Sequence, residues 1–136
     1  MSNLFGDNFT NQAYLLPTWI RNSIKYKKID IYISKNSTKD FIYVNDAFDV
    51  LLKIIKRGKH RLYNVASGKN IKLSKILKEI KKITNCKINY THSSNVVKEP
   101  KINIKRIIKE FNFRPKNNLI NLLNHIIVNY KNNVLK

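Results

Sequence analysis

Three histidines, His60, His92 and His125, are the residues best suited to proton transfer or metal binding near neutral pH. They are widely spaced and match no metal-ligand pattern, and no Ser/His/Asp or Cys/His set stands out around them. His125 falls beside the apolar stripe of a predicted helix, the position of a boundary histidine rather than a catalytic one. The single Cys86 excludes an internal disulfide and a multi-cysteine metal site, and reads as a small residue at a helix-to-strand junction. None of the seven tyrosines is followed four residues later by lysine, so no Tyr-x-x-x-Lys acid–base pair is present. The three glycines, Gly6, Gly58 and Gly68, are too far apart to build a phosphate-cradling loop. The residue types therefore give a globular domain with no visible catalytic apparatus.

The balance of charge invites a nucleic-acid partner. Lys and Arg number 27 against 8 acidic residues, giving a formal charge of +19. Yet the excess is lysine, a poorer base reader than arginine. It is accompanied by abundant Asn and Ile, which share A/T-rich codons with it. The basic residues spread over every predicted element and form no basic face with interleaved aromatics. A small basic nucleic-acid-binding protein is thus the competing reading, and a nucleic-acid partner is not the expected one. Met1 to Thr10 has no basic start or apolar core, and no apolar run approaches a membrane span. A cytoplasmic location without membrane partners is the default expectation.

With 136 residues, 43% of them hydrophobic, the chain is expected to form one domain with a modest core. Ser2 to Gln12 reads as a loop. Leu16, Trp19, Ile20 and Ile24 recur at helical spacing behind Pro17, which is tolerated in a first turn. Ile29, Ile31 and Ile33 alternate as a half-buried strand, and Ser34 to Lys39 reads as a turn. Phe41 to Val44 predicts a second strand. Asn45 is placed to cap a helix with Asp46 and Asp49 near its positive end, and Ala47, Val50, Leu51, Ile54 and Ile55 as its buried stripe. Leu62 to Ala66 predicts a strand and Ser67 to Asn70 a loop. Leu73, Ile76, Leu77, Ile80 and Ile83 define a helix, and Lys87 to Thr91 a strand. His92 to Lys98 reads as a polar loop. Asn103 is placed to cap a short helix, broken by Phe113-Arg114-Pro115, and Leu119 to Tyr130 forms the last helix. The fold class is mixed α/β.

Four segments, in order, resemble one family. Ser2-Asn3-Leu4-Phe5-Gly6-Asp7 is similar to an Arg-x-x-Asn-Val-Tyr-Gly-Pro segment. Lys39-Asp40-Phe41-Ile42-Tyr43-Val44-Asn45-Asp46 is similar to Arg-Asp-Phe-Ile-Tyr-Val-Asp-Asp. Tyr63-Asn64-Val65-Ala66-Ser67-Gly68 resembles Tyr-Asn-Val-Gly-Ser-Gly. Ile104 to Lys116 resembles a short helix followed by Gly-Phe-x-Pro. Together they resemble the second half of the NAD-dependent epimerase/dehydratases, the extended short-chain dehydrogenases. The resemblance implies the small C-terminal substrate-binding lobe of such an enzyme, 1–136, with the Rossmann half absent and 1–12 as the remnant of the junction. It implies a truncated or split protein, inactive alone. NAD(P) is then expected of the complete enzyme and no cofactor of this chain. The implied partners are a nucleotide-sugar and a separately encoded Rossmann half.

By the same resemblance, Asn3 is placed to hydrogen-bond the substrate's phosphate or sugar, with loop capping as its alternative role. Tyr14 and Leu15 fall where family members touch diphosphate and base, although Leu15 is equally suited to packing. Tyr32 is placed to stack on the base or to stand exposed on its strand. Lys39 occupies the place of the family's diphosphate-clamping arginine and keeps the charge without the two-pronged fork. Asp40 reads as structural, tying the turn to the following helix. Lys72 replaces a Ser or Thr helix cap, at an expected cost of about 1 kcal/mol.

Overall fold

The computed structural model describes residues 2–7, 14–91 and 96–134. The elements run β1 (Asn3–Phe5), α1 (Leu15–Lys25), β2 (Lys28–Ile31), β3 (Thr38–Tyr43), α2 (Val44–Arg57) and β4 (Asn70–Lys72). They continue with α3 (Leu73–Thr84), β5 (Lys87–Tyr90), α4 (Lys105–Phe111) and α5 (Leu119–Val134). A three-stranded sheet has the order β1-β3-β4, with β1 parallel and β4 antiparallel to β3; β2 and β5 pair in parallel as a second sheet.

The alternation of side chains along β3 divides the interior. Phe41 joins the larger cluster, where Leu16, Trp19 and Ile20 of α1 meet Ile76, Leu77 and Ile80 of α3 and Leu123 and Ile127 of α5. Ile42 joins a smaller one with Ala47 and Val50 of α2, Ile107 and Phe111 of α4, and Phe113. Each fully buried Ile or Leu contributes about 1.5–3 kcal/mol, so the larger cluster carries most of the stability. Trp19 and Cys86 are buried core residues, as the sequence predicts.

Five local expectations are corrected. Residues 3–5 form a strand rather than loop, because they pair with Phe41 to Tyr43 far along the chain. The predicted strand over 62–66 is irregular, and strand structure appears instead at 70–72, against Thr38 to Asp40. Asn45 is inside α2; the cap position is Tyr43, and no side chain caps it. Leu51 and Ile55 are exposed, so the covered seam of α2 is narrower than its apolar stripe. The expected cost of Lys72 is offset: the Leu73 and Ser74 N–H groups donate to the carbonyls of Ser37 (2.9 Å) and Lys35 (3.2 Å), so the preceding turn caps α3.

Scarcity of glycine shows in the helix ends. Asn85 and Asn112 take the left-handed conformation at the C-caps of α3 and α4 (φ 53° and 49°). Asparagine tolerates that region better than other side chains do. Asn112 thus terminates α4 before Phe113 is reached. Asn103 stands one residue outside the α4 cap position and accepts the Lys105 N–H on its side chain at 2.9 Å. Of the polar loop over 92–98, residues 92–95 lie outside the described residues, as do residues 8–13 between β1 and α1.

Candidate functional site

The parallel pairing of β1 with β3 sets Asn3 opposite Phe41, beside Lys39 and Asp40. Asn3 Nδ2 donates to the Asp40 carbonyl (2.9 Å) and reaches Glu99 Oε2 (3.5 Å). Lys39 Nζ meets Glu99 Oε1 at 2.6 Å, with side chains 20% and 29% exposed. Glu99 Oε2 also accepts the Asp40 N–H at 3.3 Å. The carboxylate of Glu99 thereby joins Asn3 of β1 and Lys39 of the central strand β3 into one polar cluster. An ammonium has three donors, and one is engaged by Glu99. The remaining donors of Lys39 and the amide of Asn3 can serve a phosphate or a sugar hydroxyl.

Next to this cluster lies a cavity of about 220 Å³ lined by Ser2, Asn3, Tyr14, Leu15, Pro17 and Phe41, among others. Tyr14, at the N-cap of α1, is exposed, while Leu15 is half-buried. The cavity is smaller than the roughly 300–1,000 Å³ of a whole small-molecule site. It suits one part of an elongated ligand, such as a base or a ribose. The structure therefore brings Asn3, Tyr14 and Leu15 to one cavity and ties Lys39 to them through Glu99. Tyr32 is elsewhere: it follows β2 of the second sheet, is 75% exposed, and does not line the cavity.

Asp40 is wholly buried and structural, but its destination differs from the expected one. It accepts the hydroxyl of Ser2 and the N–H groups of Ser67 (2.9 Å) and Lys69 (3.0 Å), so it docks the 67–69 loop and not the following helix. Asp46, also buried, accepts the N–H groups of Lys116 (3.1 Å) and Asn117 (2.9 Å) and fixes the entry to α5. Tyr43 donates its hydroxyl to Asp7 at 3.2 Å; burial, then the Asp7 charge, push its phenol up. Glu99 is the residue that sequence reasoning missed as a partner of Lys39. Sixty residues separate them, and no local spacing signals such a pair.

The three glycines occupy three separate places: the end of β1, the end of α2, and the loop before β4. None precedes a helix as a phosphate cradle would, so the described residues do not fit a dinucleotide. Among the described residues no group of three or more His, Cys, Asp or Glu could hold a metal ion. No helix of the described residues is long and apolar enough to cross a membrane.

Comparison with known proteins agrees with the motifs around this cluster. Residues 1–66, which hold β1, β3 and the Asn3–Lys39 pair, match the NAD dependent epimerase/dehydratase family. Over 81 residues the chain is 36% identical to the CDP-abequose synthase of Salmonella muenchen, covering 56% of this chain and 27% of that protein. Its fold is that of dTDP-glucose 4,6-dehydratase from Bacillus anthracis, solved with NAD, at TM-score 0.84 and 20% identity over 97% of this chain and 43% of the other. UDP-glucose 4-epimerase from Thermotoga maritima, solved with UDP-glucose, gives TM-score 0.81 and 16% identity over 99% of this chain and 45% of the other. The chain thus spans less than half the length of these relatives.

Proposed function

We propose that residues 1–136 form the C-terminal, nucleotide-sugar-binding domain of an NAD-dependent sugar-nucleotide epimerase or dehydratase. The observation that carries this reading is the polar cluster of Asn3, Lys39 and Glu99 beside the cavity of Tyr14 and Leu15. Lys39 and Asn3 engage the diphosphate or the sugar, and the cavity takes the base or the ribose. Tyr32 contributes only where a ligand extends toward the second sheet. The family relationship of residues 1–66 and the nucleotide-sugar bound in the epimerase structure support the assignment.

The catalytic tyrosine–lysine pair and the NAD cradle are not among the residues of this chain. They belong to an NAD-binding part, supplied by further residues of the same protein or by a second chain. Helix α2 supports such a partner. Val44, Phe48, Leu51, Leu52 and Ile55 form an apolar stripe on it that is 38–79% exposed. A contiguous apolar stripe of that kind marks an interface. The cavity alone is too small for a whole nucleotide-sugar, so residues beyond those lining it are needed to complete the site.

The test is to titrate the chain with UDP-glucose, dTDP-glucose and CDP-glucose by ligand-observed NMR, and to follow the reduced-nicotinamide absorbance band with NAD added. Saturable binding that Asn3→Ala weakens, without turnover, is expected. Turnover by this chain alone, or binding indifferent to Asn3 and Lys39, would overturn the proposal.

A further inference from the structure

A second, larger cavity of about 790 Å³ also borders Phe41 and is lined by residues 67–71, the 101–105 segment and the 114–119 segment. Its rim carries Lys69, Lys101, Lys105, Arg114 and Lys116, and no carboxylate lines it. Among the described residues none of these five side chains meets a carboxylate within 4.0 Å; the ion pairs found there involve Lys28, Lys39, His60 and His125. Five cations around one concavity repel one another at every pH where lysine is charged. A bound anion relieves that repulsion, and in a concave, partly apolar setting it does so more strongly than in open water.

The interior of the cavity is not purely ionic. Phe41, Ile71, Ile104, Ile108 and Leu119 form its floor. Asn70 also lines it, held in place by its Nδ2, which donates to the Glu99 carbonyl. The volume falls within the range of small-molecule sites.

We infer that this cavity is a second binding site, which takes a phosphorylated small molecule with an apolar ring or chain. The phosphate engages the lysine and arginine rim, and the apolar part rests on the isoleucine floor. The site is distinct from the Asn3–Lys39 cluster and does not depend on the function proposed for it.

Phenyl phosphate and inorganic phosphate serve as probes, titrated into the uniformly ¹⁵N-labelled chain while backbone amide shifts are followed. Saturable shifts confined to residues 67–71, 101–105 and 114–119 are expected, with phenyl phosphate bound about tenfold more tightly than inorganic phosphate because of the apolar floor. Lys101→Glu with Lys116→Glu should abolish binding. Lys78→Glu with Lys81→Glu, the same change of charge on the exposed face of α3, should leave it within twofold. Should either pair disturb the fold, Lys101→Ala and Lys116→Ala provide the same comparison with smaller loss of affinity. Equal loss from both charge reversals would reduce the effect to net charge and overturn the inference. So would shifts spread over all lysine-bearing surfaces, no preference for phenyl phosphate, or loss of binding in Lys39→Ala, which would assign the probe to the other site.

Discussion

Lys39 and Glu99, sixty residues apart, meet at 2.6 Å beside the central strand β3, and Oε2 of the same carboxylate accepts from Asn3. The pair fixes the ammonium where the family resemblance places a phosphate contact. If Lys39 donates to a diphosphate, Lys39→Ala should weaken nucleotide-sugar binding by about ten- to a hundredfold, the worth of one hydrogen bond to a charged group. Lys39→Arg should keep most of the affinity, since charge and reach are retained. Isothermal titration of both variants with the same nucleotide-sugar checks this. Equal affinities for wild type and Lys39→Ala would remove Lys39 from the site.

Asp40 supports the cluster from within. Its buried carboxylate accepts two backbone N–H groups of the 67–69 loop, and Asp40→Ala leaves both without that acceptor. The expected loss is about 2–4 kcal/mol of folding stability, read as a lower urea midpoint with an unchanged slope. Asp40→Asn retains one acceptor oxygen and should lose less.

Gly68 stands in the same loop with φ +73°, and a Cβ there would meet Ile104 Cδ1 at 2.9 Å. Gly68→Ala therefore combines backbone strain, about 1–2 kcal/mol, with displacement of Ile104. Gly68→Ala paired with Ile104→Val should recover part of the loss if the contact matters. Denaturation of the two variants separates the terms.

Helices α1, α3 and α5 were legible because their apolar residues recur over three or more turns, and each stripe buries on one side. The short strands were not. β1 and β4 have three residues each and exist through pairing with β3, which no local pattern encodes. The 62–66 segment has strand-like residues, but among the described residues it makes one backbone bond next to β1, Ser2 N–H to the Val65 carbonyl at 3.0 Å, and no ladder. For the candidate site, Asn3, Tyr14, Leu15 and Lys39 came from resemblance, whereas Glu99 required the fold. Tyr32 alternates correctly with Ile31 and Ile33 but stands just past β2 of the other sheet, so its periodicity located a face and not a site.

Acid should weaken the contact between α4 and the end of α2. Burial pushes the Glu110 carboxyl up, but the N–H of Lys59 (2.9 Å), the hydroxyl of Tyr63 (2.8 Å) and the His60 and Lys59 charges outweigh it and hold the carboxyl below its ordinary 4.5. A depressed folded-state pKa means stability fully present above 4.5 and lost as pH falls through the lower folded value. Glu110→Gln should lose stability at neutral pH and show a flatter dependence below 4.5 than wild type. Urea midpoints across that window decide it, and parallel acid limbs would show that Glu110 is not the responsible group.

The apolar stripe of α2 yields the last prediction. Phe48 and Ile55, 59% and 79% exposed, lie two turns apart on one face, while Ala47 and Val50 fill the core on another. Substituting the exposed pair should leave the core intact, so Phe48→Glu with Ile55→Lys should change the melting temperature by only a few degrees. The same double variant should reduce self-association of the isolated chain, read by sedimentation velocity, because the stripe no longer finds apolar surface on a second copy. If the stripe instead receives the NAD-binding part of the enzyme, the variant should also fail to bind that part when the two are mixed. Wild-type self-association in the variant would show that α2 is not the adhesive face. Loss of the cooperative melt would show that these side chains belong to the core after all.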